Sequence, residues 1–279
     1  KEGDRIIWTY GRCGSCYFCT LAHEPTLCPN TQVYTKSSCT EFPYLLGRFS
    51  EYCYVPPTAG RLRVPDKIPS EMASAASCAL RTVVHGYERL GRLTFDDQVV
   101  IQGAGPVGLF ALARAVQAGV AKTIVIGAPA RRLAVARQWG ADETIDIDEV
   151  RDPAKRCDMV LEMTQRMGAD VVLECSGVAP AFSEGVEMVC RGGRYLVIGQ
   201  IGTEKVTFDP AVLVRKQLSV LGVQSGHTDH YHGALKFLDN NLHRFGFLDM
   251  ITNRYRLADT YEAFRSVKEH KEIKPVIVF

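Results

Sequence analysis

No hydrophobic run in this chain is long enough to span a membrane. The most apolar stretch, Val99 to Ala130, is broken by Gly103, Gly105, Pro106, Arg114, Gly119 and Lys122, whereas a transmembrane helix needs roughly 20 mostly apolar residues. Nor does one sign of charge dominate. Thirty-three Lys+Arg face 31 Asp+Glu, a formal net charge of +2, so no long-range field draws the chain to nucleic acid or to an anionic membrane, and neither is expected as a partner. There is no internal repeat, no low-complexity tract and no apolar signal-peptide core behind the opening Lys1-Glu-Gly-Asp-Arg5. Without those features the fibrous, disordered and membrane-spanning classes fall away. No Ser/His/Asp set or carboxylate pair is arranged for hydrolysis either. What remains is 279 residues, 46% of them hydrophobic, enough to give each of two domains its own core.

Cysteine, by contrast, is plentiful. Of ten cysteines, four crowd between Cys13 and Cys28 and the other six are scattered through apolar segments. That distribution fits a reducing compartment, and a cytoplasmic location is expected, rather than a disulfide framework.

The chain changes character twice. Residues 1–78 carry short β-type runs, Arg5 to Thr9 and Phe49 to Val55, between turn-rich and proline-rich stretches. From Gln98 strands and helices alternate. The pattern predicts strands at Val99 to Gln102, Thr123 to Ile126, Glu143 to Ile147, Asp170 to Cys175, Tyr195 to Gly199 and Gln217 to Val223. Helices are predicted at Val107 to Ala118, Ala130 to Trp139, Met159 to Met167 and around Phe182 to Cys190, with a turn at Arg191 to Arg194. Such alternation implies a parallel sheet covered on both faces. After Gln224 the chain turns polar again, with helices near Tyr231 to Asn240 and Ala258 to His270 and a closing β run from Pro275 to Phe279. The expected divisions are residues 1–78, 79–224 and 225–279.

Gly103-Ala-Gly105-Pro106-Val107-Gly108 follows a predicted strand and opens a predicted helix. In that setting the first glycine allows a tight turn, the second lets the backbone approach a pyrophosphate, and the third packs helix closely on strand. The helix N-terminus adds amides and a positive dipole. The alternative is a glycine-rich turn with no ligand. A dinucleotide site usually places an Asp or Glu about 20 residues further on to bind the ribose 2′-hydroxyl. Here that position falls at Gly127, and no Asp or Glu occurs between Asp97 and Asp142. Arg131 and Arg132 follow instead and could pair with a 2′-phosphate, which favours NADP over NAD; otherwise both are solvated helix-surface residues.

Cys13, Cys16, Cys19 and Cys28 supply four thiols in one loop with Cys-x-x-Cys spacing. This suits a tetrahedral structural zinc, closed to water and substrate, that braces a loop. An iron–sulfur cluster or a zinc ribbon shares the pattern, but near-neutral charge disfavours a nucleic-acid-binding ribbon. His227, Asp229, His230 and His232 also lie close in sequence, although the three histidines do not fall on one helical face.

A four-cysteine lobe ahead of a Gly-x-Gly-x-x-Gly fold resembles the zinc-containing medium-chain dehydrogenase/reductase family, alcohol dehydrogenase type. The similarity extends through Gly3-Asp-Arg-Ile-Ile7, Gly47-Arg-Phe-Ser-Glu-Tyr52, Cys78-Ala-Leu-Arg-Thr82, Gly168-Ala-Asp-Val-Val-Leu-Glu174, Gly192-Gly-Arg194 and Ile273-Lys-Pro-Val-Ile-Val-Phe279. The resemblance implies an α/β Rossmann domain, a doubly wound parallel sheet, inserted in a GroES-like, mainly β catalytic domain built from both ends of the chain. It implies hydride transfer between NAD(P) and a small-molecule alcohol or carbonyl, and a homodimer or homotetramer. Family roles would make Cys78 a ligand of a catalytic zinc that polarises the substrate oxygen and set Thr82 against the nicotinamide; Ile198 and Gly199 would line the ring's pocket and Lys274 would reach the pyrophosphate. Without the family context, Cys78 reads as a small buried thiol.

The family's other catalytic ligands, a cysteine and the histidine of a Gly-His-Glu motif, lie upstream of its Gly-Asp-Arg segment and occur nowhere in these residues. About 80 further residues are therefore expected before Lys1. The Cys19 to Cys28 spacing is one residue longer than the commonest family form. A competing reading is a dinucleotide-binding protein without turnover, its catalytic zinc shell incomplete.

Overall fold

A computed structural model describes residues 1–33, 38–200 and 202–279 of the chain. Its strands are β1 (Ile6–Trp8), β2 (Arg61–Arg63), β3 (Gln98–Gln102), β4 (Lys122–Gly127), β5 (Glu143–Asp146), β6 (Ala169–Glu174), β7 (Val189–Val197), β8 (Ser219–Gly222), β9 (Arg254–Arg256) and β10 (Val276–Val278). Its α-helices are α1 (Tyr17–Thr20), α2 (Ser70–Ala75), α3 (Arg81–Leu90), α4 (Pro106–Ala118), α5 (Ala130–Gln138), α6 (Pro153–Met163), α7 (Ala179–Met188), α8 (Ala211–Lys216), α9 (Thr228–Asn241) and α10 (Thr260–Lys268). The chain forms two compact units: Lys1–Arg81 with Ser225–His243 and Ile251–Phe279, and Thr82–Gln224 with Arg244–Met250.

The second unit is a six-stranded, wholly parallel sheet in the order β5-β4-β3-β6-β7-β8. Its inner strands β3, β4 and β6 are mainly apolar on both sides because helices cover both faces. Val100, Ile124, Ile126, Ile145 and Val172 pack with Val160 of α6, Val186 of α7 and Val212 of α8. The alternate residues Val99, Ile101, Val125, Val171 and Leu173 are equally buried, and α4 lies against β3, β4 and β6. Leu109, Phe110 and Leu112 of α4 are fully buried, each contributing about 2–3 kcal/mol through apolar burial. The chain builds outward from β3 in one direction to β5, then returns to β6 beside β3 and builds the other way. The strand order therefore reverses between β3 and β6, the place where open α/β sheets bind ligands.

Residues 244–250 belong to this unit, not to the return segment expected at 225–279. The reason is aromatic packing. Phe247 sits edge-on to Trp139 at 5.3 Å between ring centroids and 5.9 Å from Phe110, while Phe245 lies 6.0 Å from Trp139. Since Phe247 and Trp139 are both nearly inaccessible, Phe247→Ala should cost about 3 kcal/mol, read as a lowered denaturation midpoint. An unchanged midpoint would contradict this packing.

Three sequence expectations are corrected. Phe49 to Val55 forms no strand; Ser50 Oγ donates to Gly47 O at 3.0 Å and Tyr52 O at 2.7 Å, turning the chain on itself ahead of Pro56 and Pro57. The helix expected at Met159 to Met167 starts at Pro153, where Asp152 caps it by accepting from Ala154 N at 3.0 Å. It ends at Met163, because Gln165 and Arg166 adopt positive φ. Arg191 to Arg194 lies inside β7, whose register against β6 shifts so that Ala169 pairs with Val189 and Val171 with Arg194. The run Ser70–Leu90, which carried no sequence prediction as a whole, is α2, a π-helical turn Ala76–Leu80, and α3.

In the first unit β1 pairs antiparallel with β2, and β9 parallel with β10. The remaining described residues of the unit are loops and helices. α9 packs on β1, β2 and the π-helical turn, with Tyr231, Ala234, Leu235 and Leu238 buried. Among the described residues no helix is long and apolar enough to cross a membrane.

Candidate functional site

The glycine turn sits at the C-terminal edge of the sheet. Gly103 follows β3 with φ +110, a conformation costly for any side chain, and a Cβ there would lie 2.9 Å from Ser176 N. Gly103 N donates to Ile126 O at 2.7 Å. Gly105 is the N-cap of α4, with Pro106 and Val107 as its first two residues. A Cβ on Gly108 would stand 1.7 Å from Gly103 O, so no other residue lets the helix start this close to the turn. A Cβ on Gly105 would meet nothing within 4 Å. The fold itself does not require glycine at 105; open space lies over the backbone at the amino end of a 13-residue helix, the arrangement that admits a phosphate.

Gly127 ends β4, and a Cβ there would be 2.8 Å from Ala104 N and from Ala104 Cβ. That contact is the physical reason the position carries no acid. Arg131 and Arg132 are the second and third residues of α5, whose first turn has no acidic residue. Burial, then the neighbouring Arg131 charge, draws the Arg132 guanidinium below its usual range.

Glu174, at the end of β6, is not among the candidates read from the sequence, yet it organises this edge. It is fully buried. Its Oε1 accepts from Ser176 N at 2.7 Å, Ser176 Oγ at 2.7 Å and Gly177 N at 2.8 Å, and its Oε2 accepts from Gly199 N at 3.0 Å. Its carbonyl also accepts from Ile198 N at 2.9 Å. One carboxylate thus ties the turn after β6 to Ile198 and Gly199 after β7, and Cys175 N donates to Gln102 O at 2.8 Å beside Gly103. The usable signal was an acid ending the apolar run Val171-Val172-Leu173, two residues before a Ser-Gly turn.

The four cysteines form a second constellation, wholly within the first unit. The sulfurs of Cys13, Cys16, Cys19 and Cys28 all lie within 4.8 Å of one another, with Cys16–Cys19 and Cys28–Cys13 at 3.5 Å and Cys13–Cys19 at 4.0 Å. Tetrahedral zinc with Zn–S of about 2.3 Å needs sulfurs about 3.8 Å apart, so the donor set fits. Backbone N–H groups of Ser15 and Cys16 and the Asn30 side chain hold the Cys13 thiol down at about 5, favouring the thiolate a metal requires. Burial pushes Cys19 up to about 12. For Cys28, burial works upward, but N–H donors from Cys13 and Asn30 leave it lowered overall. The Gly11–Gln32 bridge closes the base of the lobe.

Cys78 is in the π-helical turn and exposed, contrary to the buried-thiol alternative. Among the described residues it belongs to no group of three or more His, Cys, Asp or Glu ligands, so the residues present do not build a catalytic zinc site. Thr82 is the second residue of α3, half-buried; Lys274, half-buried, precedes β10. His227 caps α9, its N–H donating to His230 Nδ1 at 2.8 Å, while His232 is exposed. Burial draws the His227 imidazole below its usual pKa.

Comparison with known proteins finds relatives over nearly the whole chain. The family described as Zinc-binding dehydrogenase matches residues 106–240. The chain is 34% identical over 281 residues to 5-exo-hydroxycamphor dehydrogenase of Pseudomonas putida, covering 99% of this chain and 76% of that protein. It is 30% identical to D-arabitol-phosphate dehydrogenase of Enterococcus avium, covering 99% and 75%. The crystal structure of an alcohol dehydrogenase from Thermotoga maritima superposes with a TM-score of 0.90 at 32% identity, over 99% of this chain and 76% of that one. With the glycine turn at the reversal point of a parallel sheet and the tetrathiol lobe in place, the chain belongs to the zinc-binding, alcohol dehydrogenase-type medium-chain family, oxidoreductases that move a hydride between a nicotinamide dinucleotide and an alcohol or carbonyl.

Proposed function

We propose that this protein oxidises a small-molecule alcohol, or reduces the corresponding carbonyl, with NADP as its preferred dinucleotide and one structural zinc held by Cys13, Cys16, Cys19 and Cys28. The observation that carries the dinucleotide reading is Gly105: its missing side chain serves no packing need of the fold, and leaves the amino end of α4 accessible to a pyrophosphate. The nicotinamide, when bound, supplies or accepts the hydride. This chain's residues do the rest: the Gly103–Gly108 turn anchors the phosphates, and Ile198 and Gly199, fixed by Glu174, form one wall for the ring. Thr82 would meet the ring and Lys274 the pyrophosphate by family resemblance. Its relatives are named for a hydroxycamphor, an arabitol phosphate and sorbitol, which supports an alcohol-bearing carbon skeleton as the substrate class. A homodimer or homotetramer working in the cytoplasm completes the proposal, open to sedimentation and fractionation.

The NADP preference rests on two like charges placed at a positive helix end, an arrangement a 2′-phosphate relieves. Arg131→Ala and Arg132→Ala should each raise the KM for NADP by about tenfold, the value of one charge-assisted hydrogen bond, and leave that for NAD nearly unchanged. Equal KM values for the two dinucleotides, insensitive to both substitutions, would remove the preference. Titration with reduced nicotinamide dinucleotide, followed by fluorescence, tests binding itself; no saturable change would remove the dinucleotide reading.

A further inference from the structure

Four thiolates around Zn²⁺ carry a net charge of −2, and the lobe must hold that charge in a partly dry setting. Arg12 directly precedes the first of these cysteines and is 8% exposed. Its guanidinium Nη1 donates to Thr31 Oγ1, and that hydroxyl donates to Cys28 O at 2.6 Å, so one side chain links the first ligand to the segment behind the last. Arg12 also lines, with Cys13, Cys19 and His227, a cavity of about 300 Å³. The guanidinium lies 5.8 Å from the Tyr10 ring centroid. Among the described residues Arg12 forms no ion pair with a carboxylate, and its buried Nε has no hydrogen-bond partner. Its electrostatic neighbours are the Cys28 and Cys19 sulfurs, the Tyr231 hydroxyl and a second cation, Arg81. A buried cation with no carboxylate beside it is costly unless another anion compensates it.

We propose that Arg12 is the counter-charge of the tetrathiolate centre, a positioning residue whose guanidinium offsets part of the −2 charge and so retains the metal. This rests on the structural-zinc reading above. The compensation is mutual: the zinc–thiolate centre supplies the anion that Arg12 lacks, and Arg12 lowers the energy of the sulfur lone pairs. Thr31 sets the guanidinium's position; the charge does the work.

The test compares wild type, Arg12→Met, Arg12→Lys and Cys28→Ser in the purified protein, with folding followed by circular dichroism. Zinc transfer to a chromophoric chelator should be about tenfold faster in Arg12→Met, as for loss of other groups surrounding a metal's ligands, and within about twofold of wild type in Arg12→Lys. In the cobalt-substituted protein the thiolate-to-metal charge-transfer bands should move to lower energy in Arg12→Met and return in Arg12→Lys, a signature that a purely packing role does not produce. If Arg12→Met does not accumulate folded, Arg12→Gln, equally neutral, takes its place. Release rates equal to wild type in the neutral variant, or an Arg12→Lys as leaky as Arg12→Met, overturn the proposal. Zinc that Cys28→Ser removes, but whose release ignores Arg12, overturns this inference alone; a wild type holding no such zinc overturns both readings.

Discussion

Gly108→Ala is expected to cost on the order of 4 kcal/mol and to abolish measurable dinucleotide binding. The added carbon would stand 1.7 Å from Gly103 O and 2.9 Å from Gly103 C, both backbone atoms that no rotamer change can move. Either α4 slides away from β3 or the turn opens, and both remove amides from the phosphate position. Gly105→Ala supplies the control. Its φ of −82 suits any residue and the new methyl meets nothing. Stability should therefore hold within about 0.5 kcal/mol, while affinity for reduced nicotinamide dinucleotide falls by at least about tenfold as the methyl blocks the approach of the pyrophosphate. Thermal denaturation and fluorescence titration of the pair separate a folding role from a binding role. If Gly105→Ala binds as well as wild type, the phosphate is not at this turn.

Glu174→Ala should be comparably severe, about 4 kcal/mol, because it leaves the N–H groups of Ser176 and Gly177 without their shared acceptor and Gly199 N–H with the Glu174 carbonyl alone, at 3.1 Å. Glu174→Gln keeps the shape but presents an amide –NH₂ where a carboxylate oxygen now accepts, so it should recover only part of the loss. Since the same carboxylate fixes Ile198 and Gly199, both variants should lower kcat more than they raise the KM for the dinucleotide. Unaltered stability in Glu174→Ala would mean the Ser176 and Gly177 N–H groups find other partners.

The outline of the sheet-containing unit was legible because it is written in local periodicity. Apolar strands of four to six residues alternate with amphipathic or buried helices, and the glycine spacing 103, 105, 108 constrains one turn with its flanking strand and helix. The predicted β3, β4, β6, α4 and α5 differ from the observed elements by one or two residues at their ends. The corrected elements failed where local pattern misleads. Arg191-Gly-Gly-Arg194 has turn composition, and residues 190–193 bulge out of the pairing with β6, but the strand resumes at Arg194, which pairs with Val171 in the ladder and with Asp97 at 2.9 Å. Phe49 to Val55 has strand composition but, among the described residues, no partner strand. An apolar run becomes a strand only when a ladder accepts its backbone groups.

The sequence by itself determined what can be expressed as spacing along the chain: a strand–turn–helix able to hold a pyrophosphate, four thiols able to close around one metal, two arginines where an acid is usual. Tertiary structure decided what depends on contacts between residues distant in sequence. Glu174 meets Gly199 across 25 positions, Phe247 meets Trp139 across more than 100, and Arg12 is linked to the Cys28 carbonyl by hydrogen bonds through Thr31. Nothing local marks these residues as partners, because an isolated Glu, Phe or Arg has the same propensity wherever it stands. Burial and hydrogen-bond geometry assign each its role, and both exist only once the chain has folded.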